Sequence, residues 1–243
     1  MAQRSPVDPA AAGVPASQTL SRGIRILEIL AAAREPLSID EIAARLEVHR
    51  SIAYRLVRTL EHHGLIGRDG SGTVALGARM AALAAGVAHD LQAAALPELT
   101  TVANALGMTC FVAVLDRDEC ITLASVEPRH AIASVAQRPG ARHSLAVGAP
   151  SKAILSALAT DQWPVDADDR LRAGVADART RGYATSHDEV IPTVQSIAVP
   201  LRLRPPQRPA ALAVVHVGVQ VDPDDVAARL ERSAAAIREA LGG

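Results

Sequence analysis

Apolar residues recur at helical spacing in successive stretches near the start of the chain. Leu20, Ile24, Leu27 and Ala31 run through SRGIRILEILAAA and predict an amphipathic first helix, closed by Glu35 and Pro36. Ile39, Ile42, Ala43 and Leu46 form the next apolar stripe. Ser38 and Glu41 introduce it with the S-x-x-E spacing of a capping box, in which each side chain satisfies an orphaned backbone N–H. Only Glu47, Val48 and His49 separate this second helix from a third, a spacing suited to a helix-turn-helix. With successive residues about 100° apart, Ile52, Ala53, Leu56, Val57 and Leu60 share one arc of the third helix, and Arg50, Ser51, Tyr54, Arg55 and Arg58 share the other. No carboxylate interrupts the polar arc, the nearest acids being Glu47 and Glu61. The helix is built to pack with one side and present arginine with the other.

After Gly64 the period changes to two. Leu65 and Ile66, then GRDGSG, then Thr73, Val74 and Leu76 predict a β-hairpin turning at Asp69 to Gly72. Three helices and a hairpin make a winged helix-turn-helix. Gly77 to Leu96 reads as a further helix, whose alanine-rich surface suits close approach to the same helix of a second copy. From Leu99 the pattern is α+β. TCFVAVLD, ECITLASVE, HAIASVAQ, SIAVPLRL and AALAVVHVGV are strand-like runs, with helices expected near Pro150 to Leu158 and Asp168 to Arg181. Asp222 caps a last helix that Pro223 begins, with acids in its first turn. The expected organisation is a disordered Pro/Ala/Ser/Gly tail over 1–17, a winged helix-turn-helix domain over 18–77, a linker and dimerisation helix over 78–97, and an α+β domain over 98–243.

Composition changes the picture at few points. The formal net charge of the 243 residues is −1, so a nucleic-acid surface has to come from local arrangement. Lys152 is the single lysine among 25 basic residues, so arginine content by itself argues nothing. Cys110 and Cys120 are too widely spaced for a C-x-x-C pair and too few for a disulfide framework, which fits a reducing cytosol. No apolar run approaches the ~20 residues of a membrane span, and no signal-sequence pattern opens the chain. The histidines form no H-E-x-x-H, and His62 and His63 are adjacent, so no metal or cofactor is expected. Ser151 beside Lys152 lacks the S-x-x-K spacing, and no G-x-S-x-G occurs.

Two candidate sites follow. Arg50, Ser51, Tyr54, Arg55 and Arg58 are placed to face a major groove, with Ser38 and His49 at the helix starts and Arg22 and Arg68 as phosphate contacts. In HSLAVGAPSKAIL, Pro150 suits the first position of a helix. The N–H groups of Ser151 and Lys152 would then point outward as an anion seat, beneath apolar strands with too few aromatic residues for a stacking cage. A small organic acid is the expected ligand.

SRGIRILEIL, PLSIDEIAARL, SIAYRLVRTLEHHGLI and a wing ending in ALG, in that order, resemble the winged-helix domain of the IclR family of bacterial transcription regulators. VGAPSKAIL resembles that family's effector loop, and RGYATSHDEVIPTVQSIAVPL its following stretch, so the likeness runs from about Leu20 to Leu241. It implies a homodimer or dimer of dimers, a palindromic double-stranded DNA operator and a GAF-like second domain. The effector would lie against Leu145, Ala146, Val147, Gly148, Ala149, Ser151, Gln195 and Ser196. The family often has glycine where Glu47 stands, threonine at Ile52, histidine at Ala146 and threonine or serine at Gly148. The rival expectation is an acyl-group hydrolase or transferase carrying a winged-helix dock.

Overall fold

The computed structural model describes residues 17–33, 35–130, 135–205, 207–218 and 220–242. The expected tail falls almost wholly outside them, as does the middle of the strand expected over HAIASVAQ. The chain divides into two compact units, Met1–Val87 and Ala88–Gly243.

In the first unit, α1 (Gln18–Ala32), α2 (Ile39–Arg45) and α3 (Arg50–His62) precede a hairpin of β1 (Ile66–Arg68) and β2 (Val74–Leu76), then α4 (Arg79–Ala84). Helix α2 opens with the expected capping box. Glu41 N–H donates to Ser38 Oγ at 3.3 Å and Ser38 N–H to Glu41 Oε2 at 2.8 Å. Leu37 extends the hairpin, exchanging backbone hydrogen bonds of 2.9 and 2.8 Å with Val74. Asp69 organises the turn by accepting from the N–H and hydroxyl groups of both Ser71 and Thr73. Those bonds lower its pKa to about 2. Ile26, Leu30, Ile42, Ala53, Leu56, Val57, Ile66 and Val74 fill the core.

Several expectations are corrected here. Ser17 belongs to the fold, since its Oγ caps α1, and Arg22 lies inside that helix rather than before it. The buried face of α1 is Gly23, Ile26 and Leu30, whereas Leu20 and Ile24 are 64% and 50% exposed. Ile52, assigned to the packing arc of α3, is exposed. The helix-turn-helix turn contains Glu47 at φ +56°, a left-handed conformation that favours glycine. The helix expected over Gly77 to Leu96 is interrupted at residues 85–88, where Ala88 has φ +46°. No residue of α4 is buried. The second half, α5 (His89–Leu106), runs on through Pro97, because Leu91, Ala95, Leu99 and Val102 continue a buried stripe past it.

The second unit is a six-stranded antiparallel sheet ordered β5-β4-β3-β8-β7-β6. Its strands are β3 (Thr109–Asp116), β4 (Glu119–Val126), β5 (Arg142–Ser144), β6 (Ala184–His187), β7 (Gln195–Leu201) and β8 (Ala210–His216). Helices α6 (Ala149–Ser156) and α7 (Asp169–Arg181) lie in sequence between β5 and β6, and α8 (Pro223–Ala240) ends the fold. Asp222 caps α8, as expected, and Asp168 caps α7. Along β3 the side chains alternate. Cys110, Val112 and Val114 join α5 and α8 in one core, while Phe111 and Ala113 join α6 and α7 in the other. Ala198, Ala211 and Ala213 on the second face let α6 come close. Strands β5 and β6 were missed by the sequence reading. Among the described part of HAIASVAQ, Val135 to Gln137 are not in a strand.

Candidate functional site

The polar arc of α3 stands clear of the core. Arg50, Ser51, Tyr54, Arg55 and Arg58 are all exposed, Tyr54 by 43%. His49 caps the helix, its Nδ1 accepting from Ser51 N–H at 3.3 Å and lying 2.8 Å from Ser51 Oγ. This fixes Nδ1 as the unprotonated nitrogen. Arg22, Arg55, Arg58 and His62 line one groove with Thr19, Ile52, Leu56 and Thr59, and no carboxylate lines it. Two expected contacts are tethered. Arg50 Nε lies 2.9 Å from Asp40 Oδ1, and Arg68 Nη2 lies 3.4 Å from Glu61 Oε2. Both pairs are partly or largely exposed, a setting in which such pairs are worth ~0–1 kcal/mol, so a phosphate can compete for either arginine.

In the second unit a small pocket of about 40 Å³ opens over the sheet face that carries α6. Phe111 and Val215 form its floor, Val190, Ile191 and Val194 its roof, and Gln137, His143, Ser186 and Ser196 its polar groups. The polar groups are largely committed. Gln137 Nε2 donates to Thr122 Oγ1 at 2.6 Å, and Ser196 Oγ donates to Val214 O at 2.8 Å. His143 Nδ1 lies 3.0 Å from Ser144 O. A carbonyl only accepts, so Nδ1 carries the proton and Nε2 is left as an acceptor. Burial lowers the His143 pKa, against smaller raising contributions from the Ser144 hydrogen bond and the Glu119 charge, which keeps the ring neutral at pH 7.

The start of α6 is already occupied by an anion of the protein itself. Glu189 Oε2 accepts from Gly148 N–H at 2.9 Å, and Glu189 Oε1 lies 2.6 Å from Lys152 Nζ and 3.6 Å from Arg170 Nη2. Lys152 Nζ also donates to Thr185 O at 3.1 Å. The Lys152 and Glu189 side chains are only 10% and 9% exposed. The expectation of outward-pointing Ser151 and Lys152 amides is therefore corrected. Lys152 N–H bonds Gly148 O within the helix, and Ser151 is fully buried. The Ser151 hydroxyl faces the buried Cys120 thiol, whose pKa is pushed up to about 12 by burial.

Two family models match this chain. The IclR helix-turn-helix domain matches residues 19–70, and the bacterial transcriptional regulator IclR C-terminal domain matches residues 84–164. The chain belongs to the IclR family. It is a family of transcriptional regulators and not of enzymes. The probable transcriptional regulator SauR of Cupriavidus necator is 28% identical over 211 residues, covering 79% of this chain and 83% of that protein. The HTH-type transcriptional regulator XynR of Escherichia coli is 26% identical over 251 residues, covering 94% and 99%. An IclR-type regulator from Alicyclobacillus acidocaldarius has the same fold at a TM-score of 0.79 and 25% identity, covering 93% of this chain and 99% of that one. An IclR homologue from Microbacterium hydrocarbonoxydans, solved with 4-hydroxybenzoate, shares the fold at a TM-score of 0.79 and 24% identity, covering 92% and 99%.

Of the IclR effector-loop residues singled out in the sequence, Gly148 lines the pocket and Ser196 joins it from β7. Leu145, Ala149 and Ser151 point into the core, Ala146 is exposed and Val147 half-buried. Gln195 lines an open cleft with Arg170, Arg181 and His187 that shares Ser186 and Ser196 with the pocket. Sequence reasoning missed Phe111, Gln137, His143, Ser186, Val190, Ile191, Val194 and Val215. Strand alternation signalled Phe111 and Val215. The others converge from the ends of β5, β6 and β7 and the segments beside them, where no local pattern announces a common target.

Proposed function

We propose that this protein is a cytoplasmic regulator that reads a palindromic operator through the exposed arc of α3, as a homodimer or dimer of dimers, and that a small organic effector in the second unit changes its operator affinity. The observation that carries the reading is the run of exposed Arg50, Ser51, Tyr54, Arg55 and Arg58 on a helix whose opposite side is locked into the core. Arginines so placed are able to grip guanine edges or phosphates. The second apolar stripe of α1, Leu20 and Ile24, supports association with a second copy, as do exposed Leu83 and Val87 further along the same unit. One recognition helix covers only a half-site, so specific reading calls for two.

The effector acts through its differential affinity for the DNA-competent and DNA-incompetent states. An organic acid, the ligand expected from the sequence, would have to displace Glu189 to reach the α6 start. Selection of bound genomic fragments, followed by anisotropy titrations on the fragment recovered, tests the reading. A sequence-specific site with two inverted half-sites is expected, together with a dimeric or larger mass by light scattering at micromolar protein. Recovery of no enriched fragment, or a monomer with full operator affinity, would overturn it.

A further inference from the structure

Most of the side-chain donors around the pocket beneath Val190 and Ile191 are already engaged. Its nearest backbone N–H at the helix start, that of Gly148, is taken by Glu189. Pro150 has no N–H to give. Lys152, the cation nearest the loop, is bonded to Glu189 and to Thr185 O. Gln137 Nε2 and the Ser196 hydroxyl are spent on Thr122 and Val214. The Ser186 hydroxyl alone turns either way.

What remains is an acceptor set. His143 Nε2 has no hydrogen-bond partner among the described residues, and Gln137 keeps its carbonyl oxygen once its amide is engaged. Gly148 packs close against His143 and Val190, an approach that only a residue without a side chain allows. A Cβ at position 148 would lie 3.1 Å from His143 Cε1, 3.5 Å from His143 Nε2 and 3.1 Å from Val190 Cγ2, and the φ of +92° disfavours a side chain there. A carboxylate in this pocket would meet two acceptors and, among the described residues that line it, no lysine or arginine, and Val190 is next in the chain to the buried charge of Glu189. Burying a charge without a partner is costly, whereas a hydroxyl supplies the donor that the imidazole lacks.

We infer that this pocket takes a small neutral molecule with an apolar body and one hydroxyl, which donates to His143 Nε2, and that it discriminates against carboxylates. The inference rests on reading the second unit as the effector unit, and it replaces the organic acid with a neutral alcohol or phenol. At about 40 Å³ the pocket is far below the ~300–1,000 Å³ of sites that hold drug-sized ligands. Even a single ring therefore has to lift the roof. Val190 and Ile191 are 45% and 44% exposed, so their side chains can turn outward while Glu189 keeps the segment tied to the start of α6.

Phenol, toluene and benzoate separate the contributions, since toluene matches phenol in shape without the donor and benzoate adds the charge. Binding to the full-length protein in the absence of DNA is followed by nuclear magnetic resonance of the histidine imidazole nitrogens, with the His143 signals assigned by their loss in His143→Leu. At pH 7.5 phenol should bind about fivefold or more tighter than either of the others, and should shift His143 Nε2 toward lower frequency as it accepts the hydrogen bond. In His143→Leu, toluene should still bind, showing an intact pocket, while phenol loses its advantage. Once the pH is low enough for the imidazole nitrogen signals to show His143 protonated, Nε2 becomes a donor and the order should move toward benzoate. The inference is overturned if benzoate binds at least as tightly as phenol at pH 7.5. It is equally overturned if phenol keeps its advantage in His143→Leu, or if none of the three perturbs His143. Failure of effector regulation reads out separately, as operator affinity indifferent to every compound that binds.

Discussion

Lys152 Nζ and Glu189 Oε1 meet at 2.6 Å, each side chain about nine-tenths buried. The pair ties the first turn of α6 to the segment that roofs the pocket, and it supplies from within the chain the carboxylate that the helix start would otherwise draw from solution. Removing one partner leaves a buried charge unpaired. Glu189→Ala should therefore cost on the order of 3 kcal/mol of unfolding free energy in urea titrations. The double variant Glu189→Leu with Lys152→Met should lose clearly less than the sum of the single variants. Additive losses would mean that the two groups do not depend on each other.

Arg55→Ala and Arg58→Ala should each weaken operator binding by about 1–3 kcal/mol where a base contact is lost. Salt separates the two kinds of contact. Loss of a phosphate contact flattens the slope of log affinity against log salt by about one and weakens all sequences alike, whereas loss of a base contact relaxes one position. Wild-type affinity in both variants would remove α3 from the groove.

Glu47 sits at φ +56° in the turn before α3. The left-handed conformation costs a non-glycine residue roughly 1–2 kcal/mol, partly offset by the greater freedom glycine has when unfolded. Glu47→Gly should raise the stability of the first unit by about 1 kcal/mol. The check is the denaturation midpoint at unchanged slope, and a lower midpoint would show that the glutamate makes contacts worth more than the strain.

Burial lowers the pKa of both His143 and His216, and His216 Nδ1 is buried without a hydrogen-bond partner among the described residues. Each binds protons less readily when folded than when unfolded, where the ordinary value is about 6.5. Their contribution to stability is thus full above about pH 6.5 and is lost as the pH falls from there toward the folded values. Denaturation of the second unit at pH 7.5 and 5.5 should show the drop, and His143→Leu with His216→Leu should flatten it. A stability that rises on acidification would reverse the assignment.

Much of this protein was legible in the chain because local rules sufficed. The capping box at Ser38 and Glu41, the Asp222 cap, the turn at Asp69 and the apolar runs of β3, β4, β7 and β8 each depend on residues within a few positions of one another. The arginine face of α3 was equally readable, since one helix carries all of it. Burial on α1 was not. A wheel finds the Leu20 and Ile24 stripe as easily as the Ile26 and Leu30 one, and only the position of α2 and α3 decides which is covered.

The pocket lies furthest from the sequence. His143, Gln137, Ser186 and Val215 are brought together by four separate segments of the second unit, and Glu189 reaches Gly148 across 41 residues to fill a helix start that looked vacant in the chain. The sequence by itself determined most of the helices, the wing hairpin, strands β3, β4, β7 and β8 and the cationic face of α3, because hydrogen-bonding periods and caps act locally. The tertiary structure alone decided which donors are already engaged, because a hydrogen bond or ion pair between remote segments exists only once the sheet has set their distance.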